Sequence, residues 1–183
     1  MIGYVGVDEQ VDKDFHRARR RALLHRLRGW LCRDAARERL PSFDEAKGAL
    51  ARWSQSYRGM RTVDVEKITG SVGRCKDFDD TFLPLKFNMA RRWERVDRAY
   101  QQGIELPAVS LYKIGEAYFV CDGNHRVSVA KFHKAATIDA EVVEIRGCTR
   151  TDVASPPKRQ PKMEASGYGL QLSGGVGEML GVA

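Results

Sequence analysis

The chain has 183 residues, 43% of them hydrophobic and 30% charged, with a formal net charge of +7. That balance fits a globular protein with a genuine core, and no apolar run nears the ~20 residues of a membrane span. The start, MIGYVGVDEQ, lacks a basic stretch followed by an apolar block, so a cytoplasmic location without membrane contact is expected.

Residues 1–12 carry no strong pattern. From Asp14, DFHRARRRALLHRLRGWLCRDAARERL reads as an amphipathic helix with Asp14 as its N-cap. Leu23, Leu27, Trp30 and Leu31 form the stripe expected to be buried, with Arg17, Arg20, Arg21 and Arg28 mostly away from it. Pro41 ends this helix. Ser42, with Glu45 three residues on, opens a second one, to which Leu50 and Trp53 lend an apolar side. The first 60 residues hold thirteen Lys and Arg against eight Asp and Glu, so contact with DNA would begin at residues 16–33. A solvated face is the plainer reading of the same arginines.

RTVDVEKITGSVGR alternates through Val63 and Val65 toward Ile68 and reads as a strand ended by glycines. CKDFDDTFLPL is an acidic, aromatic loop. NMARRWERVDRAYQQG is the clearest helix, with Met89, Trp93, Val96 and Tyr100 at helical spacing and Gly103 where a stop belongs. ELPAVSLYKIGEAYFVCDG reads as strand, turn, strand, turning at Gly115-Glu116. A short helix covers 125–134, and TIDAEVVEI is a closing strand through Ile138, Ala140 and Val142. The Gly-, Pro- and Ser-rich remainder reads as a disordered tail. The expected division is a helical basic extension over 1–60, a small-sheet domain over 61–147 and a tail over 148–183. The fold class is α+β or α/β. Cys32, Cys75, Cys121 and Cys148 never fall at C-x-x-C, which argues against a zinc knuckle or redox pair.

The segment that carries chemistry is Asp122-Gly123-Asn124-His125-Arg126, where a strand meets a helix. The first N–H groups of a helix lack partners and its dipole is positive there, so the turn favours an anion, above all a phosphate. Gly123 permits close backbone approach. Arg126 can fork onto phosphate oxygens, and His125 can donate a hydrogen bond or a proton. Cations at a helix N-terminus oppose the dipole by ~0.3–1 kcal/mol unless an anion is present, which favours a ligand over a simple Asp122 cap. Upstream, Asp77, Asp79 and Asp80 could hold Mg²⁺ or supply a general base, Asp79 first and Asp77 second; a solvated acidic turn, capped by Asp79 or Asp80, is the alternative.

Over about residues 63–145 these parts, in this order, resemble the ParB/sulfiredoxin superfamily. GNHRVSVA stands where ParB proteins carry a G-x-R-R-x-x-A phosphate box, and GRCKDFD is similar to an upstream box through Arg74, Phe78 and Asp79. The resemblance implies an α+β fold, a small mixed sheet with flanking helices, here preceded by a helical extension. It implies a nucleoside di- or triphosphate (CTP, ATP or ADP) with Mg²⁺, held by Gly123, Asn124, His125, Arg126 and Arg74. It further implies catalytic roles for Asp79 and His125 if the nucleotide is hydrolysed or its phosphate transferred, and a homodimer is compatible with it. A DNA-binding regulatory module and a small-molecule kinase similar to an ADP-dependent serine kinase are the alternatives. The sulfiredoxin cysteine position is occupied by Asn124, so sulfinic-acid repair is not implied.

Overall fold

A computed structural model of the chain describes residues 3–31 and 40–149. It has four helices, α1 (Gly3–Leu31), α2 (Phe43–Gly48), α3 (Ala90–Gln101) and α4 (Asn124–Phe132). Five strands, β1 (Leu50–Asp64), β2 (Ile68–Ser71), β3 (Val109–Ile114), β4 (Ala117–Asp122) and β5 (Thr137–Thr149), form one sheet in the order β1-β5-β3-β4-β2. The sheet is mixed. β1 and β5 form an antiparallel ribbon from Leu50↔Thr149 to Asp64↔Thr137, and β3 and β4 form a hairpin. β5 lies parallel to β3, and β2 parallel to β4. The fold is therefore α+β.

Alternation along the strands builds two apolar layers. Val109 and Leu111 of β3, Val120 of β4, and Ala140 and Val142 of β5 point to one face, where they meet Phe78, Phe82, Met89 and Val127. Phe119 of β4 and Ile145 of β5 point to the other, under Phe43 of α2. A third cluster joins three helices: Phe15, Ala18 and Ala22 of α1, Trp93 of α3, and Val129 and Phe132 of α4. Phe15 and Trp93 are fully buried, each worth roughly 1.5–3 kcal/mol by transfer alone.

Several sequence-based expectations need correction. α1 starts well before Asp14, which lies inside the helix and is buried. Its buried stripe is Val11, Asp14, Phe15, Ala18 and Ala22, at helical spacing; Leu23, Leu27 and Leu31 are exposed. That face packs Phe15, Ala18 and Ala22 into one cluster with Trp93 of α3 and Val129 and Phe132 of α4. α1 is thus part of the domain core rather than an appended extension. The second helix stops at Gly48, and Leu50 and Trp53 belong to β1. β1 accordingly runs through the boundary expected at residue 60. The strand expected across Val63–Ile68 is split by a 3₁₀ turn at Val65–Lys67. β5 runs on to Thr149, two residues into the tail expected from 148. Trp30's side chain, the 32–39 segment and the rest of that tail lie outside the described residues. Helix α3, the β3–β4 hairpin, α4 and β5 match expectation. No helix among the described residues is long and apolar enough to cross a membrane.

Candidate functional site

β4 delivers the chain to the DGNHR turn at its C-terminal end, and α4 begins there. Gly123 occupies the N-cap with φ 97°, a left-handed conformation. A Cβ at this position would lie 2.6 Å from Val109 Cγ1, so glycine is required on steric grounds as well. No side chain caps α4. The first intrahelical bond runs from Val127 N–H to Gly123 O, leaving the opening turn of amides without a side-chain acceptor.

Each neighbour of Gly123 has a defined task. Asn124 is buried, and its Oδ1 accepts a hydrogen bond from Ser71 Oγ at 2.8 Å, tying α4 to the end of β2. His125 is buried with its ring edge-on to Phe78, and its Nδ1 has no hydrogen-bond partner. Burial, and then the charges of Arg74 and Arg92, pull its pKa down to about 4, so the imidazole is neutral at pH 7. Arg126 is committed within the protein. Its Nη1 donates to the carbonyls of Pro107 and Ala108, and Nη2 pairs with Asp122 Oδ2 at 2.7 Å. The guanidinium that the sequence offered to phosphate is a strap across the turn.

In front of the turn lies a cleft of about 440 Å³, lined by the 121–126 segment and by Val72, Val96, Arg74 and Arg92. That size suits a small organic ligand. Arg92 is exposed on α3 and forms no ion pair among the described residues. Arg74 makes a single 3.2 Å contact with Asp77 and remains 44% exposed. These two arginines are less committed within the protein than Arg126, which lines the same cleft. Arg92 stands on the polar side of α3, among Arg91, Glu94 and Arg95, with no motif to single it out. Its one signal was its place directly before the buried Trp93, in the first turn of α3. Two further hollows, of about 510 and 520 Å³, lie along the exposed flank of α1, and neither gathers a helix opening.

The acidic loop borders the cleft through Asp77, which meets Arg74, and Phe78, which meets His125. Asp79 is fully buried; its Oδ1 accepts from Leu83 N–H at 2.7 Å, Thr81 Oγ1 at 2.8 Å and Thr81 N–H at 3.0 Å. Burial raises its carboxyl above the usual range, against those hydrogen bonds. Asp77 receives Arg74 on one oxygen and Lys86 on the other. Asp77 and Asp79 share no metal-ligand group among the described residues, and neither lines the cleft. The residues present do not fit a Mg²⁺ ion bound beside a phosphate at the turn. Asp79 is a loop organiser, and its expected catalytic place at the turn is not where it lies.

Of the basic residues on α1, Arg17 pairs with Asp14, Arg19 donates to Leu85 O, and Arg21 lies over the Phe132 ring. Arg20, Arg26 and Arg28 are exposed, as are Arg17 and Arg21. Cys121 is exposed on β4 and lines the cleft, while Cys75 is half-buried against Ser71 O.

No protein-family model matches the chain, and no curated protein matches it. A solved structure of a sulfiredoxin from Arabidopsis thaliana is similar over 51% of this chain and 91% of its own, at 15% identity and a TM-score of 0.35. At that distance the likeness says nothing of chemistry.

Proposed function

We propose that this protein binds a phosphorylated small molecule, of nucleotide size, in the cleft at the β4–α4 turn. The observation that carries the reading is the uncapped opening of α4 facing Arg74 and Arg92 across the cleft. An anion there would meet helix amides, the positive end of the dipole and two guanidinium groups. The neutral His125 adds a hydrogen-bond donor without a second charge. The resemblance of GRCKDFD and GNHRVSVA to the ParB-type boxes points to a nucleoside di- or triphosphate as the ligand class.

The reading is one of binding. Turnover would need a base or a metal at the phosphate. Asp79 is buried outside the cleft, and a histidine with a pKa of about 4 is a weak base and no acid at neutral pH. A kinase or hydrolase role therefore draws no support from the groups that line the site. DNA binding through α1 is the lesser reading, since three of its arginines are engaged within the protein.

The test is a melting-temperature screen with ATP, ADP, CTP, GTP and pyrophosphate, followed by Arg74→Ala and Arg92→Ala. A true ligand at a hundredfold excess over Kd stabilises by about 2.7 kcal/mol. The reading predicts that both variants lose most of that gain. Stabilisation by no phosphate compound, alongside salt-sensitive duplex DNA binding, would replace it with the DNA reading.

A further inference from the structure

A second constellation lies where α1 crosses the acidic loop. Asp79 Oδ2 is buried and has no hydrogen-bond partner, although the other oxygen of the same carboxylate accepts three. A desolvated carboxylate oxygen without a donor is costly unless a cation reaches it. It lies 3.4 Å from His25 Nδ1. One ligand atom each from His25, Asp79 and Asp80 falls within 4.8 Å of the others. His25 is 44% exposed and Asp80 is exposed, so the group opens to solvent on one side and an ion could enter with its water.

We propose that His25, Asp79 and Asp80 form a site for a divalent transition-metal cation of the zinc class, clamping α1 onto the acidic loop. One imidazole nitrogen and two carboxylate oxygens are a borderline donor set; Mg²⁺ and Ca²⁺ prefer oxygen alone. Around a tetrahedral ion with bonds of ~2.0–2.2 Å, neighbouring donors stand about 3.3–3.6 Å apart. The His25–Asp79 pair already has that spacing, and the exposed Asp80 needs only a side-chain adjustment. Thr81 Oγ1, 3.5 Å from His25 Nδ1, donates to Asp79 Oδ1 and fixes the carboxylate. Lys131, whose ammonium lies over the Phe82 ring and feels both Asp79 and Asp80, is the positive group that a metal must tolerate.

The other His–carboxylate group, Asp14, Asp97 and His133, is not equivalent. Its carboxylates are filled by Gln10, Gln101, Arg17 and His133 itself. It is the natural decoy in a metal titration.

Chelator-treated full-length protein is titrated with ZnCl₂ by calorimetry, and with CoCl₂ while its visible absorption is followed. The site predicts one saturable equivalent of Zn²⁺ and the intense bands of four-coordinate Co²⁺. His25→Ala and Asp80→Asn should each weaken Zn²⁺ more than about tenfold and remove those bands. Both positions are solvent-exposed, and unchanged circular dichroism separates lost ligation from lost folding. His133→Ala should leave Zn²⁺ affinity unchanged. The proposal is overturned by absence of saturable Zn²⁺ binding, or by binding that survives both variants or is abolished only by His133→Ala. Nucleotide binding at the α4 cleft is unaffected by either result.

Discussion

Arg126 and Asp122 close a salt bridge across the opening of α4, Nη2 to Oδ2 at 2.7 Å, while Nη1 of the same guanidinium holds the carbonyls of Pro107 and Ala108. The arginine side chain is only 15% exposed. One residue thus joins the turn before α4 to the segment before β3. It holds the helix opening in place from the wall of the cleft.

Arg126 and Arg92 should therefore separate in mutagenesis. Arg126→Ala strips the two carbonyls of their donor and should cost about 1–3 kcal/mol of stability by urea denaturation. Arg92→Ala, at an exposed position, should change stability by less than about 0.5 kcal/mol while weakening phosphate binding. Equal stability effects would mean that the strap is not formed in solution.

Gly123→Ala should destabilise by more than about 1–2 kcal/mol, because a left-handed residue gains a Cβ that runs into Val109. The steric half of that cost is separable. Gly123→Ala combined with Val109→Ala should lose less than the sum of the two single changes in a double-mutant cycle. Simple additivity would assign the cost to backbone conformation alone.

The indole N–H of Trp93 donates to Ser128 Oγ at 2.9 Å, and both side chains are fully buried between α3 and α4. Ser128→Ala would leave that donor unpaired at a cost of about 1–3 kcal/mol, read from the denaturation midpoint.

Stability should fall as pH drops from 6.5 toward 4. In that window the unfolded chain binds a proton on His125 that the folded chain refuses, since burial and two arginines depress its pKa to about 4. The contribution is present above the unfolded pKa and is lost at up to about 1.4 kcal/mol per pH unit below it. Asp79 and Asp97, raised chiefly by burial, act in the opposite sense. The difference between wild type and His125→Asn is therefore the readout, and it should be steepest near pH 5. A flat difference would place His125 in solvent. Phosphate in the cleft should flatten the wild-type slope by stabilising the imidazolium.

What the sequence made legible follows from how local each signal is. Helix α3 showed itself through Trp93 and its neighbours at helical spacing, and the hairpin through glycine at its turn. α4 was evident from the DGNHR turn itself. β1 was hidden because its apolar residues, Trp53, Tyr57 and Met60, are few, exposed and set among polar ones. It forms a ribbon with β5 whose stability rests on pairing rather than on a buried side, and the register shifts between Tyr57 and Gly59, where φ is 71°. The true face of α1 was masked because Ala18 and Ala22, which pack in one cluster with Trp93 and Phe132, are weaker hydrophobic signals than Leu23 and Leu27. At the site, residue types were readable and partners were not. Arg126 is claimed by carbonyls 18 and 19 residues away, and Asp79 by its own loop.

The most direct measurement is a ¹⁵N-resolved NMR titration of the full chain with pyrophosphate. The account predicts that the amides of Asn124, His125 and Arg126 move first and saturate together, with the Arg74 and Arg92 guanidinium signals following, and that Arg74→Ala/Arg92→Ala abolishes the response. Saturable shifts confined to the arginines of α1, or no shifts at those three amides at millimolar pyrophosphate, would contradict it.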